Sequence, residues 1–327
     1  MMAEAYDSWA HLEKETDTEL IKKTGLLVFG DAAIDFTHQV ARTLASLNVP
    51  YRQYNATELR GKFPMFRFDS GQVGVYDPQG GLIRADRALR AYQTVFKNNG
   101  GTIKDEEVVD SIIPGDIVTV KTSKGEYTAK SLVITGGAWT TKLTQSLGLQ
   151  LPLRVIHTRV CYLTQREKTY TVDAGMPCFI YHLADDKCPE NTYGFPCLEY
   201  PNQVKVASHA GQVLNDPDFR DVSSPLDQTI VQTIEAFAQR HLPGVNPEVG
   251  IIEHCMYTMT PDSDFILDLH PGWKNIVIGA GFSGHGFKFA PVVGKILAEL
   301  ATDQRPSYDL RPFRMDRFGA VVTKARL

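Results

Sequence analysis

One stretch restricts the architecture more than any other. Residues 275–288 read Asn-Ile-Val-Ile-Gly-Ala-Gly-Phe-Ser-Gly-His-Gly-Phe-Lys, a short apolar strand that runs into G-x-G-x-x-G. Beyond it, Phe289, Val292, Val293, Ile296, Leu297 and Leu300 recur at helical spacing. A strand, clustered glycines and an amphipathic helix in that order make one unit of an α/β sheet, with a tight turn between strand and helix. The same spelling is used where a dinucleotide's phosphates sit. That use needs a second strand after the helix, closed by an acidic residue about 20 positions on. Here Thr302-Asp-Gln-Arg-Pro306 follows the helix and Glu299 lies at its end, so the phosphate reading fails on context. What survives is a backbone that a ligand can approach closely, N–H groups at a helix start, and the positive charge of Lys288. Such a loop suits a carboxylate, or a planar ligand whose carbonyl takes up negative charge. The plain alternative is a strand–helix turn with a surface lysine.

The rest of the chain alternates strands and helices. Gly25-Leu-Leu-Val-Phe29 reads as a buried strand; Phe36, Val40, Leu44 and Leu47 mark a helix that Pro50 ends. Asp86 to Asn98 predicts a helix with Ala88, Leu89, Tyr92, Val95 and Phe96 on one face, stopped by Asn99-Gly100-Gly101. Residues 117–122 and 126–129 flank Ser123-Lys124-Gly125 as a hairpin, and Leu132-Val-Ile134 is a strand running into Gly136-Gly137-Ala138-Trp139. Ser224-Pro225 opens a helix with Ile230, Ile234 and Phe237 on its apolar side, closed by Pro243-Gly244. No linker or repeat divides these elements, so two domains sharing the chain in alternating pieces fit better than two in tandem.

Bulk properties remove several classes of function. The net charge of −4 offers no global basic field for nucleic acid. No apolar run approaches the roughly 18 residues of a membrane span, and the acidic N-terminus is neither a signal nor a transit peptide. Five cysteines (Cys161, Cys178, Cys188, Cys197, Cys255), odd in number and without a C-x-x-C pair, argue against a disulfide scaffold or structural zinc site and favour a reducing interior. The terminal Ala325-Arg326-Leu327 is similar to the S-K-L peroxisome address.

A second block sharpens the reading. Glu253-His-Cys-Met-Tyr-Thr-Met-Thr-Pro-Asp262 leads to Phe265-Ile-Leu-Asp268 and then to the glycine loop. Cys255-Met-Tyr-Thr-x-Thr-Pro-Asp, Phe265-Ile-Leu-Asp268 and Gly279-Ala-Gly-Phe-Ser-Gly-His-Gly-Phe-Lys288 together closely resemble the monomeric sarcosine oxidase family, above all its peroxisomal sarcosine/L-pipecolate oxidases. The similarity covers nearly the whole chain, from Trp9-Ala-His-Leu-Glu-Lys-Glu15 through Gly25–Phe29 to the tail.

The resemblance implies an α/β fold with an α+β second layer, of the FAD-dependent amine-oxidase type. A nucleotide-binding domain with a parallel sheet (1–24, 76–151, 259–327) is interleaved with a substrate domain on a mixed or antiparallel sheet (25–75, 152–258). It implies FAD joined covalently to Cys255, a step for which only the thiolate is competent. Lys288 would lie near the substrate carboxylate, and Gly284, His285 and Gly286 under the flavin pyrimidine, whose oxygen becomes negative on reduction. In Gln203-Val-Lys-Val-Ala-Ser-His209, Lys205 would promote the reaction with O₂ and His209 would contact the substrate amine. Tyr193 and Tyr257 would wall the pocket, Val108 would contact adenine, and Gly137-Ala138-Trp139 would form the flavin-side strand end. The implied catalytic set is Lys205, His209, Tyr257 and Lys288. The implied reaction oxidises a secondary amino acid, sarcosine or L-pipecolate, to an imine, with H₂O₂ as the reduced product. Peroxide formation makes a peroxisomal location expected, with Ala325–Leu327 read by the import receptor. A monomer without nucleic-acid or membrane partners is expected.

The chain departs from the pattern at its start. Family members open with a true strand–G-x-G-x-x-G–helix unit, and this sequence begins downstream of it. The first βαβ unit, about 30 residues or more, and the arginine that would partner Lys288 are therefore expected to be missing, leaving an open sheet edge. The competing expectation is a truncated, non-catalytic form that at most binds a partner. An NAD-dependent dehydrogenase built on Gly279–Gly284 would need the βαβ continuation that the sequence lacks.

Overall fold

The computed structural model describes residues 1–182, 192–219 and 225–319. Cys188, the expected cap Ser224 and the tripeptide Ala325–Leu327 lie outside the described residues.

The largest element is an eight-stranded sheet. Its spatial order is Val245–Met259, Arg154–Gln165, Gln203–Leu214, Thr192–Phe195, Cys178–His182, Leu26–Asp31, Gln72–Asp77 and Arg52–Asn55. Neighbours are antiparallel except Cys178–His182 beside Leu26–Asp31, which run parallel. Helix Pro225–His241 covers one face. Ile230, Ile234, Phe237 and Ala238 of this helix share a core cluster with Cys161, Leu163, Val204 and Val206 of the sheet. Each large side chain so buried contributes about 1.5–3 kcal/mol. Pro243, which cannot continue a helix, follows its end, and Gly244 N–H donates to the Tyr170 hydroxyl at 2.9 Å. The opposite face stays open between strands and carries the residues taken up below.

A second, three-stranded sheet holds Ile266–His270 antiparallel and Leu132–Ile134 parallel to the central strand Trp273–Ala280. The apolar run Ile276-Val277-Ile278 is buried on both sides, as a central strand covered on both faces demands. Val277 packs with Trp9 and Leu12 of helix Met2–Thr16 and with Val292, Val293 and Ile296 of helix Ala290–Ala301. Ile276 and Ile278, pointing the other way, join Ile134, Leu149 and Ile266. Among the described residues no strand pairs with the second edge of Leu132–Ile134, where Val133 is 38% exposed. The hairpin Val118–Thr122/Glu126–Ala129 forms as read and gains Val109–Ile113 as a third strand. No helix among the described residues is long and apolar enough to cross a membrane.

Three local expectations shift. Helix Ala85–Asn98 buries Ala88 and Ala91 and half-buries Tyr92 and Val95, but Leu89 and Phe96 are exposed. Positions 88, 91, 92 and 95 form one stripe, and 89 and 96 sit about 100° round the helix from 88 and 95. Helix Phe36–Ser46 ends before Leu47, which is exposed, and Asn48 follows in the left-handed region. Most relevant to the site, no helix starts directly after Gly284. Ser283 and Gly284 are both left-handed (φ 49° and 76°), a pair no right-handed helix can absorb. Phe287–Phe289 is a 3₁₀ turn, and the α-helix begins only at Ala290, with Pro291 in its first turn. The N–H groups expected at the glycines are therefore displaced to the Ala290 end.

Candidate functional site

The open face of the large sheet gathers five of the expected residues. Side chains alternate across a strand, so Cys255 and Tyr257 share a face, as do Lys205 and His209. Cross-strand register places Cys255 opposite Thr158, Tyr257 opposite Ile156, and Tyr193 opposite Ala207. The His209 ring lies between two phenols, 4.8 Å from the ring of Tyr193 and 5.7 Å from that of Tyr257. The hydroxyl oxygens of Tyr193 and Tyr257 are 3.3 Å apart. Burial first, and the nearby charges of His285 and Lys288 second, hold His209 below its usual range, so it is a neutral imidazole at pH 7. His254, next to Cys255 in sequence, belongs to the other side of the strand and stacks on His157 at 5.4 Å.

The glycine loop is pinned across the end of this face. Ser283 N–H donates to Thr258 O at 3.0 Å, and Ser283 Oγ accepts from Thr260 N at 3.2 Å. Gly284 rests on Tyr257: a Cβ added there would stand 3.0 Å from the ring. Gly281, at φ 66°, abuts Thr260 so closely that any Cβ would collide with its methyl group. Lys288 follows in the 3₁₀ turn, its carbonyl accepting from Trp9 Nε1 at 2.9 Å. Trp9 is buried and stacks on Phe287 at 5.9 Å, so the first helix fixes the backbone that presents Lys288. Nothing in the residues around Trp9 marks it as a support of the site; the contact to Lys288 spans 279 positions.

The Lys288 ammonium has no carboxylate partner among the described residues; it lies over the ring of Phe289, 5.5 Å from its centre. Desolvation pushes its pKa down, although the residue as a whole keeps solvent contact. A half-desolvated ammonium without a counter-charge is a place where an anion gains affinity.

Lys205 behaves differently. It is ion-paired with Glu199 at 2.9 Å beside a cleft of about 510 Å³ whose lining includes Arg84, Arg87, Tyr162, Glu199 and Glu253. Cys255 is exposed, yet the atoms crowding its sulfur desolvate it and push the thiol up, an effect the Lys205 charge opposes. In this arrangement the sulfur is a thiol rather than the thiolate that attachment chemistry needs. His285 acts on His209 through its charge, while its Nε2 lies 2.9 Å from Ser263 O and its ring packs on Phe265. Gly286 is buried. Gly137 (φ 52°) opens the turn after Leu132–Ile134, with free space where a Cβ would stand. Trp139, in that turn, donates from Nε1 to Asp218 at 2.7 Å and is 38% exposed. Val108 belongs to a different region, beside the three-stranded hairpin sheet, and is exposed there.

Comparison with known proteins decides the family. Residues 1–300 match the model of the FAD dependent oxidoreductase family. The chain belongs to this family. Within it, the oxidoreductase is 46% identical to the peroxisomal sarcosine oxidase of Mus musculus over 329 residues, covering 100% of this chain and 83% of that protein. It is 32% identical to a monomeric sarcosine oxidase of Bacillus sp. (strain NS-129), covering 96% and 80%. Among solved structures, NikD, an unusual amino acid oxidase essential for nikkomycin biosynthesis, superposes with a TM-score of 0.84 at 25% identity, covering 96% of this chain and 82% of that one. The fold is thus that of the FAD-dependent amino acid oxidases, as the resemblance implied.

The residues present fit a flavin. Gly284 gives backbone access where any side chain would press on Tyr257, and Gly137 leaves open space at the end of the parallel strand pair. Lys205 and Lys288 bring two ammonium groups toward the sheet face that bears the exposed Cys255 thiol. Planar aromatic rings, a cationic surround and close backbone are what an isoalloxazine with a developing negative charge requires.

Proposed function

We propose that the oxidoreductase oxidises a secondary α-amino acid of the sarcosine or L-pipecolate type, passing the electrons to O₂. The observation that carries the reading is Lys288: an ammonium without a counter-charge among the described residues, its charge felt by His209 in the box of Tyr193, His209 and Tyr257. A family match over most of the chain and 46% identity to a sarcosine oxidase support it, and favour an oxidase over a non-catalytic remnant.

Bound FAD supplies the two-electron acceptor, and Cys255 is the residue that would hold it covalently. Lys288 binds the substrate carboxylate and so orients the amine. Tyr193 and Tyr257 wall the amine side and exclude water. Neutral His209 accepts a hydrogen from the amine, which favours the unprotonated nitrogen whose lone pair becomes part of the imine. The substrate loses two electrons and two protons; O₂ gains the same and leaves as H₂O₂. Lys205 stabilises the negative charge that develops on O₂. Water then hydrolyses an acyclic imine, whereas a cyclic one persists.

We further read the chain as two interleaved units, 1–24, 76–151 and 259–327 around the cofactor and 25–75 and 152–258 around the substrate. Val108, His285 and Gly286 keep the cofactor-side roles the resemblance implies. A monomer in the peroxisome, imported through Ala325–Leu327, accords with the name of the mouse relative and with peroxide as product.

The test uses the full chain supplied with FAD. Peroxide formation with sarcosine and L-pipecolate is measured, and the acid-precipitated, washed protein is examined for flavin absorbance. Turnover is expected with secondary amino acids, and yellow pellets for the parent protein but not for Cys255→Ser. A folded, flavin-loaded protein that turns over none of these amines would overturn the reading.

A further inference from the structure

Lys205 does not stand alone in its cleft. Its ammonium donates to both oxygens of Glu199, at 3.0 and 2.9 Å. Glu199 Oε2 is also in short contact with the Tyr162 hydroxyl, whose oxygen lies 2.8 Å from Glu253 Oε2. The other oxygen of Glu253 accepts from the Tyr200 hydroxyl at 2.6 Å. Tyr162 is 1% exposed and is the cross-strand partner of Lys205. The ammonium sits 5.7 Å from the Tyr162 ring and 5.5 Å from that of Phe195.

Counting hydrogens shows what this cluster can do. A phenol carries one hydrogen, and two carboxylates reach for it. With Lys205 on Glu199, the phenol is the donor in both of its contacts, so its one hydrogen is shared between the two carboxylates. When the ammonium swings away, that hydrogen can settle on Glu199, an exposed carboxylate that then keeps the phenol as its partner. Glu253 keeps its bond from Tyr200 throughout. The hydroxyl thus offsets part of what separating the ion pair costs.

We propose that Glu199 is a positioning residue for Lys205, holding the ammonium in a parked position, and that Tyr162, shared with Glu253, lets it leave Glu199 for the part of the same face that bears Cys255. The inference rests on the role given to Lys205 above, and adds to it two positions and the groups that exchange them.

The first readout needs no turnover. The full chain is labelled with trinitrobenzenesulfonate, and modification of the Lys205 peptide is followed by mass spectrometry. In Glu199→Gln the rate at Lys205 should rise about five-fold, the worth of a partly exposed ion pair, and Glu199→Asp, which keeps the charge, should restore protection. Tyr162→Phe keeps the ring and the ion pair, so Lys205 should remain protected. In the flavin-loaded enzyme, Tyr162→Phe should slow the O₂ half-reaction severalfold and leave the anaerobic amine half-reaction unchanged. Equal labelling in the parent and Glu199→Gln overturns the parking role. A Tyr162→Phe protein that labels like Glu199→Gln, or that slows both half-reactions alike, overturns the hydrogen exchange. A protein that oxidises no secondary amine sinks the proposed function but leaves the labelling pattern to be judged separately.

Discussion

Replacing Lys288 with methionine should improve or spare the fold and damage the site. Methionine keeps the unbranched stem and removes only the charge. In the folded protein that charge is desolvated and faces no carboxylate among the described residues. Its pKa is lowered relative to the unfolded chain, so the unfolded state binds more protons between the two values and stability rises with pH across that window. Below that window the ammonium carries a desolvation cost in the folded state. Opposing this is the contact with Phe289 at 5.5 Å, worth about 0.5–1 kcal/mol at a partly exposed site. The burial cost and this small contact act in opposite directions and are removed together, so the melting temperature of Lys288→Met without ligand should equal or exceed that of the parent. Binding is another matter. A hydrogen bond to a charged group contributes about 1.5–3 kcal/mol, so affinity for a carboxylate substrate should fall about ten- to hundredfold. The assay pairs a thermal melt, with and without sarcosine, against KM for sarcosine. The parent should be stabilised by sarcosine and the variant should not. A variant that melts well below the parent without ligand would show that Lys288 is a structural cation. Unchanged KM would show that the carboxylate is held elsewhere.

Two further substitutions probe the frame around the site. Gly281→Ala places a Cβ at φ 66° against Thr260; left-handed strain and overpacking together should cost about 2–4 kcal/mol in urea denaturation, and a loss below about 0.5 kcal/mol, the size of an ordinary surface substitution, would mean that the loop can move aside. Arg317→Met removes the guanidinium that hydrogen-bonds Asp262 at 2.7 and 3.1 Å and holds that carboxyl down from 3.8 to about 2. The folded value is depressed, so the pair's stabilisation is complete above about pH 4 and lost as pH falls toward 2; exposure limits it to about 1 kcal/mol. Melting temperature should therefore fall less between pH 4 and pH 2 in the variant than in the parent, and parallel curves would refute the assignment.

Much of the molecule was legible in the residues themselves. The strand–glycine–helix unit, the hairpin around Ser123-Lys124-Gly125 and the helix carrying Ile230, Ile234 and Phe237 follow from periodicity and turn chemistry, which act over a few residues. Lys205 with His209, and Cys255 with Tyr257, could be put on common faces by strand alternation alone. That they belong to one site came from resemblance to a family, not from spacing. What the sequence could not settle was anything that depends on how distant segments lie against one another. Trp9 reaches Lys288 across 279 positions, and Tyr162 reaches Glu199 and Glu253 across 37 and 91. No local pattern distinguishes these residues from ordinary core aromatics and surface acids. Cys255 reads as a reactive thiol, and only its crowded surroundings show it held as a thiol. Local sterics fix φ, ψ and side-chain period along the chain, and so write the elements into the sequence. Sheet register and burial, which arise only when the elements pack, decide which charges are paired, which are left waiting for a ligand, and which hydroxyl stands between two carboxylates.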